Sequence, residues 1–277
     1  MRFKWLKKFF KNFSLLWQAL RKFNDDNGFF LASGIAFNIL INLIPFLLLL
    51  LALVGTYLYN DQAVLNHIRT YFSNVAPTLD PKIIRSLMDL IESRQIVGIL
   101  GFVGLLWFST WVFGSLRIAL NIVFRVEKNR GMLRGIGIDL LMILLAGILL
   151  IVSLILSPMI TFLQDYQGQI SVAIGPTIRW ILKYLLPFFL TYCMVFLIYK
   201  IIPYKKIHFT SALQAALFTG LLWELAKHVF TWYVVHLAHY SFFYGSLSGL
   251  VIFVFWVFYS SMILVMGGEF AYFLEGN

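Results

Sequence analysis

The sequence predicts an all-α, polytopic membrane protein: a bundle of six transmembrane helices preceded by an amphipathic interfacial helix. Three observations carry that prediction. Hydrophobic residues make up 61% of the chain and charged residues 12%, about half the charge of a soluble domain. Six apolar stretches, about 29–58, 96–124, 136–163, 176–202, 210–238 and 245–274, each exceed the roughly 20 residues a helix needs to cross a hydrocarbon core. The basic residues, finally, concentrate in alternate links between those stretches.

That alternation gives the orientation. Arg2, Lys4, Lys7, Lys8, Lys11, Arg21 and Lys22 crowd the start of the chain. Arg125, Lys128, Arg130 and Arg134 follow the second span, and Lys200, Lys205 and Lys206 follow the fourth. The links after spans three and five carry none. By the positive-inside rule this places both termini in the cytoplasm. The net charge of +10 is therefore a topology signal and a contact for anionic lipid. No soluble domain is expected that would present a basic face with stacking aromatics to nucleic acid.

Residues 1–28 form the first segment. Phe3, Leu6, Phe10, Phe13, Trp17 and Leu20 recur at helical spacing with lysines between them, the pattern of a helix lying on the cytoplasmic membrane face and touching anionic lipid. Charges interrupt every apolar run, so a cleavable signal peptide is not expected. Residues 29–277 are expected to form one six-helix domain.

The first span puts Gly34, Asn38, Asn42 and Pro45 on one face. An Asn in lipid needs a hydrogen-bond partner on a neighbouring helix, and Pro45 frees a backbone carbonyl one turn earlier. Interhelical bonding is the first reading of this stripe and a polar pathway the second. The long link from 59 to 95 reads as two short amphipathic helices broken around Asn74, Pro77, Asp80 and Pro81. Gly98, Gly101 and Gly104 in the second span permit close helix approach; Arg117 near its end can extend to the interface. In the third span Asp139 is expected near the cytoplasmic interface, paired with a basic neighbour. The fourth span contains Pro187, and its Leu186-Pro187-Phe188-Phe189-Leu190 echoes Ile44-Pro45-Phe46-Leu47-Leu48. Three spans apart, such an echo fits inverted repeats, although so short an apolar match also arises by chance. Cys193 is the one cysteine, which excludes an intramolecular disulfide and a cysteine-based zinc site.

The fifth span holds the strongest functional signal. Gly220, Glu224, Lys227, His228 and Thr231 share one helical face, with Glu224 near the midpoint. Ionisable groups there cost about 2.5–3.5 kcal/mol each on insertion scales, so they are retained for a partner or a task. Three readings follow: an ion pair that fixes the bundle, a carboxylate that binds and releases a proton or cation beside His228, or a polar groove for a lipid headgroup. In the sixth span Gly267 and Gly268 allow close backbone approach, and Glu269 reads as a latch toward Arg117 or the basic link after the second span.

Several segments together resemble the YihY/BrkB family of bacterial inner-membrane proteins, once labelled ribonuclease BN. They are Ala32 through Pro45; Gly114-Ser115-Leu116-Arg117 with Ala119-Leu120-Asn121; Pro203; Gln214-Ala215-Ala216; Gly220; Trp223-Glu224-Leu225; Tyr244-Gly245-Ser246-Leu247; Trp256; Tyr259-Ser260; and Gly267-Gly268-Glu269. In the first span Phe37, Asn38 and Asn42 depart from the family's Tyr- and Ser-bearing pattern. The resemblance implies six spans and a role ranging over solute or lipid export and envelope integrity.

Enzyme chemistry finds little footing. There is no G-x-S-x-G elbow, Walker A loop, dinucleotide fingerprint or HExxH. His236 and His239 have metal-ligand spacing but no accompanying carboxylate, and interfacial histidines explain them. Phosphodiester cleavage needs carboxylates or an acid/base pair at an aqueous site, whereas the cytoplasmic segments offer mainly Lys and Arg. The sequence therefore predicts a transporter or exporter of a solute, ion or lipid-like molecule, with no catalytic residues, cofactor or metal. Glu224, Lys227, His228, Asn38 and Asn42 are its pathway candidates. Pro45, Pro187, Gly220, Gly267, Gly268 and Glu269 are hinge or packing residues. A non-transporting scaffold for envelope integrity is the alternative, and oligomeric state, a homo-oligomer included, stays open.

Overall fold

A computed structural model describes residues 2–58, 90–91, 93–127, 131–165, 185–236 and 248–276. These form seven α-helices: α1 (Arg2–Asp25), α2 (Gly28–Leu58), α3 (Arg94–Val123), α4 (Met132–Asp165), α5 (Leu186–Ile201), α6 (Phe209–His236) and α7 (Ser248–Glu275). Apart from residues 90–91 and 93–95, the expected helices of the 59–95 link lie outside the described residues, as does the Tyr244–Leu247 segment with His239.

Among the described residues, four helices carry segments long and apolar enough to cross a membrane: Gly28–Leu53, Arg94–Val123, Leu133–Leu156 and Ser248–Glu275. Only 11–28% of each apolar window is buried within the protein, so lipid must cover most of their side chains. Helical geometry meets that demand because every backbone polar group is bonded inside its own segment. The expected fourth and fifth crossings differ from these four. Helix α5 is apolar but only 16 residues long as described. Helix α6 has 28 residues, with Glu224, Lys227 and His228 diluting its apolar surface.

Local chemistry sets the helix ends. Between α1 and α2, Asn27 takes φ 55°, the left-handed turn that Asn tolerates better than most residues. Its carbonyl accepts from Phe30 and Leu31 to start α2. Helix α3 ends at Arg125, also left-handed at φ 50°. The Arg125 amide donates to the Ile122 carbonyl at 3.0 Å and the Val126 amide to the Asn121 carbonyl at 2.9 Å. At the far end of the chain the Glu275 carboxylate receives the His208 amide at 2.9 Å, immediately before α6. A negative charge there also faces the positive end of the helix.

The chain divides into two compact units, residues 1–37 with 112–277, and residues 38–111. In the smaller unit the second half of α2 meets the first half of α3 across the expected glycines. A Cβ on Gly101 would lie 2.8 Å from the Leu49 nitrogen and 3.2 Å from the Pro45 carbonyl oxygen. On Gly104 it would lie 3.1 Å from the Pro45 ring, and on Gly98 3.3 Å from Ala52. Helix α2 continues through Pro45, whose carbonyl faces this glycine surface. In the larger unit α6 packs along both α5 and α7, α1 lies against α7, and α4 against α5. Tyr199, Phe124, Ile35 and Met142 are among its fully buried side chains.

Candidate functional site

The α6 stripe is half open. Lys227 Nζ donates to Glu224 Oε1 at 2.7 Å, one turn along the same helix. Their side chains remain 41% and 30% exposed. His228 Nδ1 lies 2.8 Å from the Glu224 carbonyl oxygen, and His228 and Thr231 are exposed. Gly220, at the lower end of the stripe, is buried instead: its Cβ would lie 3.3 Å from the Phe188 ring. The stripe thus begins as a packing contact on α5 and ends as an accessible polar surface. His236 sits 3.0 Å from the Trp232 carbonyl and stacks on the Trp232 ring.

A chain of cavities runs beside this surface between α6 and α7. Lys227 and Thr231 line one of about 350 Å³ with Phe230, Gly249, Ile252 and Trp256. Phe230 and Ile252 are also walls of a second cavity, about 370 Å³, reaching Tyr259 and Met262. Those two residues in turn border a third, about 360 Å³, lined also by Leu16, Leu20 and Phe23 of α1 and by Phe218 and Leu222 of α6. The series passes from a lysine into almost purely apolar walls.

The most deeply buried charge lies elsewhere. Glu269 is 0% exposed, and its Oε2 accepts from Lys22 Nζ of α1 at 2.8 Å. Lys22 also donates to Asp26 and, at 2.8 Å, to the Val123 carbonyl, and its ammonium lies 4.3 Å from the centre of the Tyr272 ring. One lysine thereby joins α1, the end of α3 and α7. Glu269 Oε1 has no hydrogen-bond partner among the described residues. Glu269 thus pairs with Lys22 rather than with Arg117. Arg117 is taken by Asp139, Nη1 to Oδ1 at 2.5 Å, and its guanidinium fills the space over Gly135, where a Cβ would lie 2.8 Å from Cζ.

Gly267 and Gly268 permit this assembly. Tyr199 Oη donates to the Leu264 carbonyl at 2.8 Å and lies 3.0 Å from Thr219 Oγ1. Both hydroxyls occupy the space a Cβ on Gly267 would need. A Cβ on Gly268 would come 2.8 Å from Leu120. Tyr199 and Thr219 gave no sequence signal beyond isolated hydroxyls in apolar runs. In the smaller unit Asn42 Nδ2 donates to Ser109 Oγ at 3.2 Å, a bond between α2 and α3. Asn38 is half-buried. Pro187 stands near the start of the described part of α5. Thr191 Oγ1 donates to its carbonyl at 3.0 Å.

Long apolar helices and a largely lipid-facing surface define a multi-pass membrane protein. Residues 19–277 match the family described as virulence factor BrkB, and the chain belongs to that family. It is 27% identical over 213 residues to a UPF0761 membrane protein of Glaesserella parasuis, covering 76% of this chain and 73% of that one. A UPF0761 membrane protein of Haemophilus influenzae is 21% identical, with 94% of both chains covered. One from Pelodictyon phaeoclathratiforme is 26% identical over 91% of this chain, which spans 58% of that relative's length. No solved structure matches the chain.

Proposed function

We propose that the protein crosses a bacterial inner membrane six times with both termini in the cytoplasm and moves a lipid-like amphiphile, solute or ion across it. The observation that carries this reading is the Glu224–Lys227 pair, 30% and 41% exposed at the middle of α6. A pair whose task is to fasten helices gains by burial between them, whereas this one is bonded within a single turn and leaves both groups accessible. Lys227 borders a cavity that adjoins two apolar ones, a sequence of surfaces suited to a charged head and an apolar body. The carboxylate would exchange a proton or cation as the helices alternate their access. The activity is taken as non-enzymatic, without cofactor or metal.

The scaffold reading draws on a different observation. Lys22–Glu269 and Arg117–Asp139 join separate helices, as cross-braces would. Proton- or cation-coupled flux in reconstituted vesicles distinguishes the two readings. Glu224→Gln should abolish flux while the protein still inserts and folds. Flux at the wild-type rate in that variant would end the coupling proposal, and no flux from the wild-type chain across a panel of amphiphiles would favour the scaffold.

A further inference from the structure

A second polar site lies at the opposite end of α6, where α3 and α7 end and α5 turns into α6. A cavity of about 470 Å³ is lined there by Ile118, Asn121, Ile122, Arg125, Val126, Glu127 and Tyr204. That volume falls within the range of small-ligand sites, roughly 300–1,000 Å³. Arg125 and Lys205 converge beside it on one aromatic ring, at 6.0 and 5.7 Å from the centre of Tyr272. Lys22 meets the same ring but is already held by Asp26 and Glu269. Among the described residues neither Arg125 nor Lys205 forms an ion pair, and both are exposed. Glu127, exposed as well, is the one acid in the lining.

Two features show that this arrangement exceeds a general surplus of basic residues at a membrane face. Arg125 occupies a left-handed position, φ 50°, that ends a helix and that Gly fills without strain. An arginine there sets a guanidinium on the cavity wall at the expense of backbone comfort. The carbonyls that would repel an anion at the end of α3 are also occupied. Those of Leu120, Asn121 and Ile122 accept from Phe124, Val126 and Arg125, and that of Val123 accepts from Lys22. Asn121 Oδ1 accepts the Tyr204 amide at 3.0 Å, so the donor its side chain has left to offer is the amide Nδ2 group. A guanidinium and an amide donor on the cavity wall, with the Lys205 ammonium next to the lining residue Tyr204 and over the ring that Arg125 also meets, are groups that recognise phosphate oxygens.

We propose that Arg125, Asn121 and Lys205 form a binding site for a phosphate group, carried by an anionic lipid headgroup or free in solution. The site is independent of whether α6 and α7 conduct a substrate. Its test uses the full chain in uncharged detergent, titrated separately with short-chain phosphatidylglycerol and with inorganic phosphate. Native mass spectrometry and the shift in melting temperature report binding. Wild type should bind at least one probe saturably. Binding of phosphatidylglycerol alone marks a headgroup site, and binding of inorganic phosphate as well marks a general phosphate site. Arg125→Gly should weaken binding at least about tenfold, the scale of one lost charge-assisted bond. Because glycine accepts φ 50° freely, its unliganded melting temperature should match or exceed wild type. Lys205→Gln, at an exposed position, should weaken binding severalfold and carries the test if Arg125→Gly does not fold. The proposal is overturned if neither probe binds wild type saturably. It is equally overturned if the folded Arg125→Gly variant binds as tightly as wild type, or if Lys205→Gln does so when it alone folds.

Discussion

Two lysine–glutamate pairs in one unit show how differently the same chemistry can be used. Lys227 and Glu224 are three residues apart on α6, bonded at 2.7 Å and still 41% and 30% exposed. Lys22 and Glu269 are 247 residues apart, bonded at 2.8 Å and sealed from solvent at 6% and 0%. The first pair forms as soon as α6 forms and does not hold two helices together. The second forms only when α1 docks on α7, and each charge depends on the other to be tolerated in the interior. A pair within one helical turn can open without separating two helices, which suits a group that must exchange a ligand or proton. A distant, buried pair fixes one packing arrangement.

The comparison breaks most sharply at Lys22. Lys22→Met leaves Glu269 buried without its partner and should cost about 3–5 kcal/mol, the range for breaking one side of a buried pair. Thermal unfolding in detergent measures this, and the double variant Lys22→Met/Glu269→Leu should recover most of the loss. If the double variant is no more stable than the single one, Lys22 acts by packing and its charge is incidental. The next effect is steric. Gly267→Ala places a methyl where Tyr199 Oη and Thr219 Oγ1 already sit, at a cost of about 1–3 kcal/mol. Adding Thr219→Ala should return part of that stability, and no recovery would place the strain elsewhere on α7. The smallest effect on stability is expected for Glu224→Gln, whose pair lies within one turn of α6 and joins no second helix, alongside the loss of flux expected above. A large melting shift in that variant would turn the accessible pair into a second brace and erase the contrast.

The particular elements show which features were written in the chain. The glycines of α3 announced a close helix contact, and Gly101 meets the Leu49 backbone and the Pro45 carbonyl. Asn42 called for a partner on another helix and has it in Ser109. Asp139 called for a basic neighbour, found in Arg117. Glu269 called for a basic partner, yet that the partner is Lys22 was not legible. Lys22 read as one more residue of the basic topology signal, because no period or spacing connects the first helix to the last. Arg125 was hidden in the same way. Its charge was counted with the link, while its left-handed backbone and its place on a cavity wall depend on how α3 ends against α5 and α7.

The sequence by itself determined that the chain is a helical membrane protein. Apolar length and the scarcity of charge are properties of each segment alone, and in lipid they leave the backbone no alternative to the helix. It also fixed the Glu224–Lys227 pair, since residues three apart share a helical face. Which charges become interior, and with whom, was decided only by tertiary packing. Burial is a relation between segments far apart in the chain: Lys22 becomes a buried partner for Glu269 only because α7 brings Gly267 and Gly268 tight against Tyr199, Thr219 and Leu120.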